Sequence, residues 1–335
     1  MSSNSRALWF TAPGKAALLP ESGVSPVVSP VATPVATHET DAFCTIRTLY
    51  SAISEGTERL VLAGKVPPDL HQSMTVPYMG GDFSFPVKYG YSLAGIVEDG
   101  PANLIGAPVH LLHPHQDICR VRTADVFRIP EDVPPRRAVL ASNMETAVTA
   151  IWDARPAVGE RILIVGFGSV GALTAQILRS MPGVDLYIAE LDDTRNRAAR
   201  ALGFRTGRPD GNEKFDLAFH TSGSASGLQE SIDSVGPEGR IIDVSWYGSA
   251  ETPLRLGGTF HSQRKTIIAS QVSHLPAFQT PRWDRVRRKQ LVFSLLRDPA
   301  FDFLQNREIP FNQLPEFFNN SPPGERAVAP FVSYG

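Results

Sequence analysis

Arg161-Ile162-Leu163-Ile164-Val165-Gly166-Phe167-Gly168-Ser169-Val170-Gly171-Ala172-Leu173-Thr174-Ala175-Gln176-Ile177-Leu178 decides how this chain folds. Five residues suited to a buried parallel strand lead into Gly-x-Gly-x-x-Gly, and an apolar run of helical length follows. In that order the parts make a dinucleotide site. Gly166 permits the tight turn, Gly168 lets backbone approach a pyrophosphate, and Gly171 lets the helix pack on the strand. Phe167, Ser169 and Val170 fill the turn between them. The helix starts with free N–H groups and a positive dipole end directed at the phosphates. Leu186-Tyr187-Ile188-Ala189-Glu190 then reads as the next strand. It places Glu190 about 20 residues on, where a carboxylate accepts hydrogen bonds from the adenosine ribose hydroxyls. The competing readings are a structural glycine turn and a helix-start carboxylate, with Asp192 or Asp193 as the N-cap.

Size and composition set bounds. At 335 residues, 42% hydrophobic and 20% charged, the chain has the profile of a soluble globular protein with room for two domains. A net charge of −2 gives no general attraction to nucleic acid or anionic membranes. Cys44 and Cys119 are the only cysteines, which rules out a disulfide framework and a cysteine-rich zinc site and fits a reducing cytoplasm. The opening Met1-Ser2-Ser3-Asn4-Ser5-Arg6 has no basic segment followed by an apolar one, so no secretory signal is expected. The run from Ile162 to Leu178 is short for a membrane span and is broken by glycines.

Ahead of the glycine turn the sequence reads as mostly β. Ala7–Phe10 and Lys15–Leu19 flank Pro13-Gly14 as a hairpin. Pro26, Pro30 and Pro34 make the next segment edge or loop rather than central strand. Strands are expected at Phe43–Tyr50, Tyr91–Glu98 and Pro108–Leu112. The long insertion Gly64–Gly90 carries Tyr78, Met79, Phe83, Phe85 and Tyr89. Loops of that length with aromatics cover something or bind something.

From Ser142 helices and strands alternate: helix Glu145–Ala154, the glycine-turn unit, and a helix from Asp193 to Leu202. Strand Phe215–His220, helix Ser226–Val235, turn Gly236-Pro237-Glu238-Gly239 and strand Arg240–Ser245 follow. Strand Thr266–Ser270 and a basic helix Pro281–Leu296 complete the pattern. An α/β class with a doubly wound parallel sheet is the result.

With these parts located, the whole chain resembles the medium-chain dehydrogenase/reductase superfamily. Gly90-Tyr91-Ser92-Leu93-Ala94-Gly95-Ile96-Val97 stands where that family has Gly-His-Glu-x-x-Gly-x-Val. Ser142-Asn143-Met144-Glu145-Thr146-Ala147 matches the segment ahead of the nucleotide fold. Within the family, Ser51-Ala52-Ile53-Ser54-Glu55-Gly56-Thr57-Glu58 and Gly64-Lys65-Val66-Pro67 are similar to the bacteriochlorophyllide 2-hydroxyethyl dehydrogenase branch.

The resemblance implies a GroES-like β-rich catalytic domain over 1–141, completed by about 282–335, and a Rossmann domain over 142–281. Nicotinamide and substrate would share the cleft between them. It also exposes a departure. Ser54 stands at or beside the family's first zinc-ligand cysteine, Tyr91 replaces the ligand histidine, and Ser142 falls near the second cysteine. Neutral hydroxyls are poor zinc ligands beside thiolate and imidazole, so no zinc is expected.

The expected function is a zinc-independent oxidoreductase moving hydride between NAD(H) and a bulky secondary alcohol or ketone. An NADPH-dependent enoyl or quinone reductase is the alternative, as is a cofactor-binding protein without turnover. Arg195, one helical turn past Glu190, is implied on the same ribose, and Arg195 and Arg197 leave NADP open. Ser222, Val244, Trp246 and Ser270 lie at strand ends where the family's cofactor sits.

Tyr91 is the candidate proton donor, provided its pKa (about 10 unperturbed) is lowered; its other reading is a filler of vacated space. Ser54 is a relay or orienting group and Glu58 an orienting carboxylate. Glu145 is a second acid/base candidate. His71, His113, His115 and His261 lack a partner motif. No Gly-x-Ser-x-Gly supports a nucleophile. The basic run from Arg282 to Lys289 reads as a solvated helix face, or less simply as a patch for an anionic substrate or a subunit contact. The expected partner is a small molecule, not nucleic acid or membrane, with a homo-oligomer left open.

Overall fold

The computed structural model describes residues 5–21, 42–207, 209, 214–320 and 326–335. The expected loop through Pro26, Pro30 and Pro34 lies outside the described residues.

The glycine-turn strand Arg161–Val165 is the centre of a six-stranded parallel sheet. The order is Arg205–Thr206, Asp185–Ala189, Arg161–Val165, Phe215–His220, Val235–Asp243, Thr266–Ala269. This is the doubly wound 3-2-1-4-5-6 order, and it places a crevice where the first and fourth strands part. Ile162 to Val165 are at most 3% exposed, as a strand covered by helices on both faces requires. Gly236-Pro237-Glu238-Gly239 loops out within one strand, since Phe215 pairs with Val235 but Leu217 already pairs with Arg240.

The β-rich part holds two sheets. In one, Ser5–Ala12 and Lys15–Glu21 form the expected hairpin, extended by Val87–Lys88 and Gly80–Gly81. The other has seven strands around Phe43–Ala52, which pairs antiparallel with Leu93–Asp99 and Ile118–Arg122. Strand Phe331–Ser333 pairs with the far end of Phe43–Ala52, opposite Leu93–Asp99, and carries Glu308–Pro310 with it.

Helix Ala141–Ala154 ties the two halves together and begins four residues earlier than the sequence suggested. Met144, Ala147 and Ala150 are fully buried in a cluster that runs from Ala52 and Ala94 to Ile164 and Phe167. The basic helix starts at Arg285 rather than Pro281, because Asp284 accepts from the Arg287 N–H at 2.7 Å and fixes the N-cap there. Its face is also not wholly solvated: Arg288 and Lys289 are 5% and 3% exposed.

The insertion corrects another expectation. Met79, Phe83 and Tyr89 are buried with Leu8, Phe10, Ile53 and Val61 under the N-terminal hairpin, and Phe85 packs on the same cluster. Tyr78 enters a different core beside Ile46 and Leu93, and its hydroxyl donates to Asp125 at 2.5 Å. These aromatics are core, not an open wall. Their burial is what holds a 27-residue excursion against the sheet. Among the described residues no helix is long and apolar enough to cross a membrane.

Candidate active site and cofactor crevice

The glycine turn is built as its sequence requires. Gly166 has φ +97°, and a Cβ there would stand 2.9 Å from the Ser222 backbone. A Cβ on Gly171 would stand 2.1 Å from the Gly166 carbonyl oxygen, so helix and strand touch at this point. Gly168 is different: the nearest atom to its missing Cβ is the Arg195 guanidinium, 3.6 Å away. The open face of the turn is therefore at the second glycine, where a pyrophosphate would approach.

Glu190 is docked on this turn. One carboxylate oxygen accepts from the Phe167 N–H at 2.6 Å and the other from the Asp192 N–H at 2.8 Å. The helix N-cap is Asp192, which accepts from Thr194 and Arg195 N–H at 3.0 Å each. Glu190 is thus free of the capping duty that competed for it. Next to it Leu191 is 88% exposed at the rim of a cavity of about 800 Å3 shared with Ala225, Ser226 and Leu254.

Four of the expected cofactor contacts are otherwise employed. Phe167 buries its ring against Phe204 and gives its N–H to Glu190, so neither part faces the crevice. Arg195 pairs with Glu55 at 2.9 Å and donates to the Ala327 carbonyl at 2.8 Å, so it spans to the β-rich part instead of lying along a ribose. Ser169 donates to the Val328 carbonyl at 3.1 Å. Ser270 gives its hydroxyl to Asp153 at 2.6 Å, which ties the last sheet strand to helix Ala141–Ala154. Val170 stays partly open on the turn, and Val244 follows the fifth strand with its N–H on the His220 carbonyl.

The three residues expected at metal-ligand positions lie close in the fold. Ser142 donates to the Tyr91 carbonyl at 2.8 Å, and Ser54 donates to the neighbouring Asn143 side chain at 3.2 Å. The Ser54 and Thr57 hydroxyls near the Tyr91 phenol favour its ionised form. Burial outweighs them and pushes the phenol up to about 12, with Glu58 adding to the rise. The expected lowering is not met, so at neutral pH Tyr91 rests as the protonated phenol, a hydrogen-bond donor. Phenol and alcohols are an unsuitable donor set for zinc. Trp246, in the loop after the fifth parallel strand, packs on the same apolar cluster as Tyr91.

Glu58 is fully buried at the head of a hydrogen-bonded chain the sequence did not reveal. It accepts from the Ser54 N–H at 2.8 Å and pairs with His115 at 2.9 Å. His115 meets Ser51 at 2.7 Å, and Ser51 meets Tyr334 at 2.9 Å. Glu145 falls out of the acid/base list. It is held by Lys289 at 2.5 Å and Arg288 at 3.3 Å, all three buried, so it is a strut between two helices. His71 lies on Phe83, His261 is exposed, and burial drives His113 down to about 3.

No family model matches the chain. The fold, a β-rich part joined to a doubly wound parallel sheet, is nonetheless shared with solved dehydrogenases. L-idonate 5-dehydrogenase from Escherichia coli superposes with a TM-score of 0.74 at 14% identity, covering 100% of this chain and 99% of that one. Acetophenone reductase from Geotrichum candidum, solved with NAD, gives 0.74 at 15% identity over 100% and 98%. In sequence the chain is 25% identical over 182 residues to D-guloside 3-dehydrogenase from Shigella flexneri, 50% of this chain and 52% of that protein. It therefore spans about half the length of this curated relative.

Proposed function

We propose that this protein is a cytoplasmic, zinc-independent dehydrogenase that moves hydride between NAD(H) and a secondary alcohol or ketone. The observation that carries the reading is a glycine turn with Glu190 docked on its rim; the resemblance adds that Ser54, Tyr91 and Ser142 stand where the family's metal ligands would be. The relatives' own names, dehydrogenases and a ketone reductase, point to the same reaction class. Nicotinamide, when bound, supplies or accepts the hydride.

The chain's residues do the rest. Each Glu190 oxygen spends one lone pair on a backbone N–H and keeps another for a ribose hydroxyl. The same charge repels a 2′-phosphate. Leu191 and the adjoining cavity suit an adenine ring. Tyr91 donates to the carbonyl oxygen, and Ser54 and Thr57 orient it. A bulky, ring-bearing substrate rests on the similarity to the bacteriochlorophyllide branch. An enoyl or quinone reductase using NADPH fits less well, because Glu190 disfavours the phosphate.

Two expected results test this. NADH should bind more tightly than NADPH, and Glu190→Ala should narrow the gap by about tenfold, or 1.4 kcal/mol, in a nicotinamide fluorescence titration. Equal affinities in the unmodified protein remove Glu190 from this role. Tyr91→Phe should lower turnover about a hundredfold while NADH affinity and melting temperature stay put. Unchanged turnover would leave Tyr91 a filler of space. Since its pKa sits near 12, the pH profile should carry no limb from this phenol below pH 10.

A further inference from the structure

We propose that Ser222, His220 and Asp243 form a second reactive centre, a serine nucleophile that cleaves small activated acyl esters, distinct from the hydride chemistry. His220 and Asp243 end two adjacent parallel strands in register. The imidazole is fully buried, with Nδ1 2.9 Å from Asp243 Oδ1 and Nε2 2.8 Å from Ser222 Oγ. A carboxylate only accepts, so the network places the proton on Nδ1 and leaves the Nε2 lone pair facing the serine hydroxyl. Asp243 is itself fixed, accepting from the Tyr247 hydroxyl at 3.0 Å and from the Ser245 N–H at 3.1 Å. Nucleophile, base and orienting carboxylate thus stand in the order that acyl transfer needs.

The surroundings fit a site. Ser222 is exposed on the turn at the carboxyl ends of the strands, ahead of Gly223 at φ +68°. It lies three residues ahead of helix Ala225–Ser234, whose N-cap is Ser224. A Cβ on Gly227 would stand 2.2 Å from Ser222 Oγ and 3.0 Å from His220 Nε2, so only glycine leaves room for the pair. Ser224 caps the helix through the Gly227 N–H at 3.1 Å and also touches Ser222 Oγ at 3.0 Å. With the Gly227 N–H given to Ser224, the remaining leading N–H groups of the helix have no intrahelical partner and are the donors assigned to a developing oxyanion.

In the first step Ser222 Oγ bonds to the acyl carbon as its proton passes to Nε2. The ester C–O bond then breaks, and the leaving oxygen takes that proton. Water attacks the acyl-serine by the same route, releasing the carboxylic acid and restoring Ser222. Neither oxidant nor metal takes part.

The test uses the full chain with p-nitrophenyl acetate and a fluorophosphonate probe, followed by peptide mapping. Ser222 should carry the label, and ester cleavage should fall at least about a hundredfold in Ser222→Ala and in Asp243→Asn, each melting as the parent does. Gly227→Ala, which displaces the hydroxyl, should lose labelling too. Label spread over exposed serines such as Ser226, or a rate indifferent to Asp243→Asn in a folded protein, overturns the proposal.

Discussion

Glu145→Ala should destabilise the protein by about 3–5 kcal/mol, lowering the melting temperature by something on the order of 10 °C. The reason is what remains. Arg288 and Lys289 are both buried, and Glu145 is the carboxylate that holds the pair. Burial already lowers the Lys289 pKa and Glu145 opposes that, so in the variant Lys289 can shed its proton. Arg288 cannot shed its own. Its remaining partners, the Thr149 hydroxyl and the Val272 carbonyl, are neutral. Adding Arg288→Met to Glu145→Ala should therefore recover part of the loss. Thermal unfolding of the single and double variants checks both statements. A Glu145→Ala protein that melts like the parent but has lost turnover would return Glu145 to the acid/base candidates.

The second large effect is at Gly171. An alanine there would place its Cβ 2.1 Å from the Gly166 carbonyl oxygen and 2.6 Å from Thr221 Oγ1, and these two atoms already share a 2.8 Å hydrogen bond. Backbone must move, at a cost on the order of 3 kcal/mol. Gly168→Ala is the control, since its Cβ would meet only the Arg195 guanidinium at van der Waals distance. It should melt normally yet bind NADH about tenfold more weakly, or 1.4 kcal/mol, because the methyl stands where the pyrophosphate approaches. The pair separates fold from ligand. If Gly171→Ala melts normally, helix and strand are not in the contact described.

The parallel sheet was legible because its signals are local. The run Ile162 to Val165, the three glycines and Glu190 each act within one turn or strand, and their physics does not depend on distant partners. The N-terminal hairpin was legible for the same reason at Pro13-Gly14. What the sequence hid is pairing at long range. Glu145 looks like a cleft carboxylate until Arg288 and Lys289 are seen 143 and 144 residues away. Arg195 looks like a ribose contact until Glu55 claims it from 140 residues away. The aromatic insertion could equally line a site or fill a core, and periodicity does not distinguish the two. His220 and Asp243 left one usable clue, since each ends a strand and neighbouring parallel strands align their ends. The motif resemblance leads to the expectation that Tyr91, Ser54 and Ser142 stand for metal ligands, whereas the rise in the Tyr91 pKa comes from burial that no motif records.

The most direct test of the account is hydride transfer followed at the nicotinamide absorbance, with chelator-treated protein and a panel of secondary alcohols and ketones that includes ring-bearing members. The account predicts turnover with NAD(H) that chelation leaves unchanged, in protein holding well under one zinc per chain by elemental analysis. Turnover that disappears on chelation and returns with zinc, or NADH binding with no turnover on any member of the panel, would contradict it.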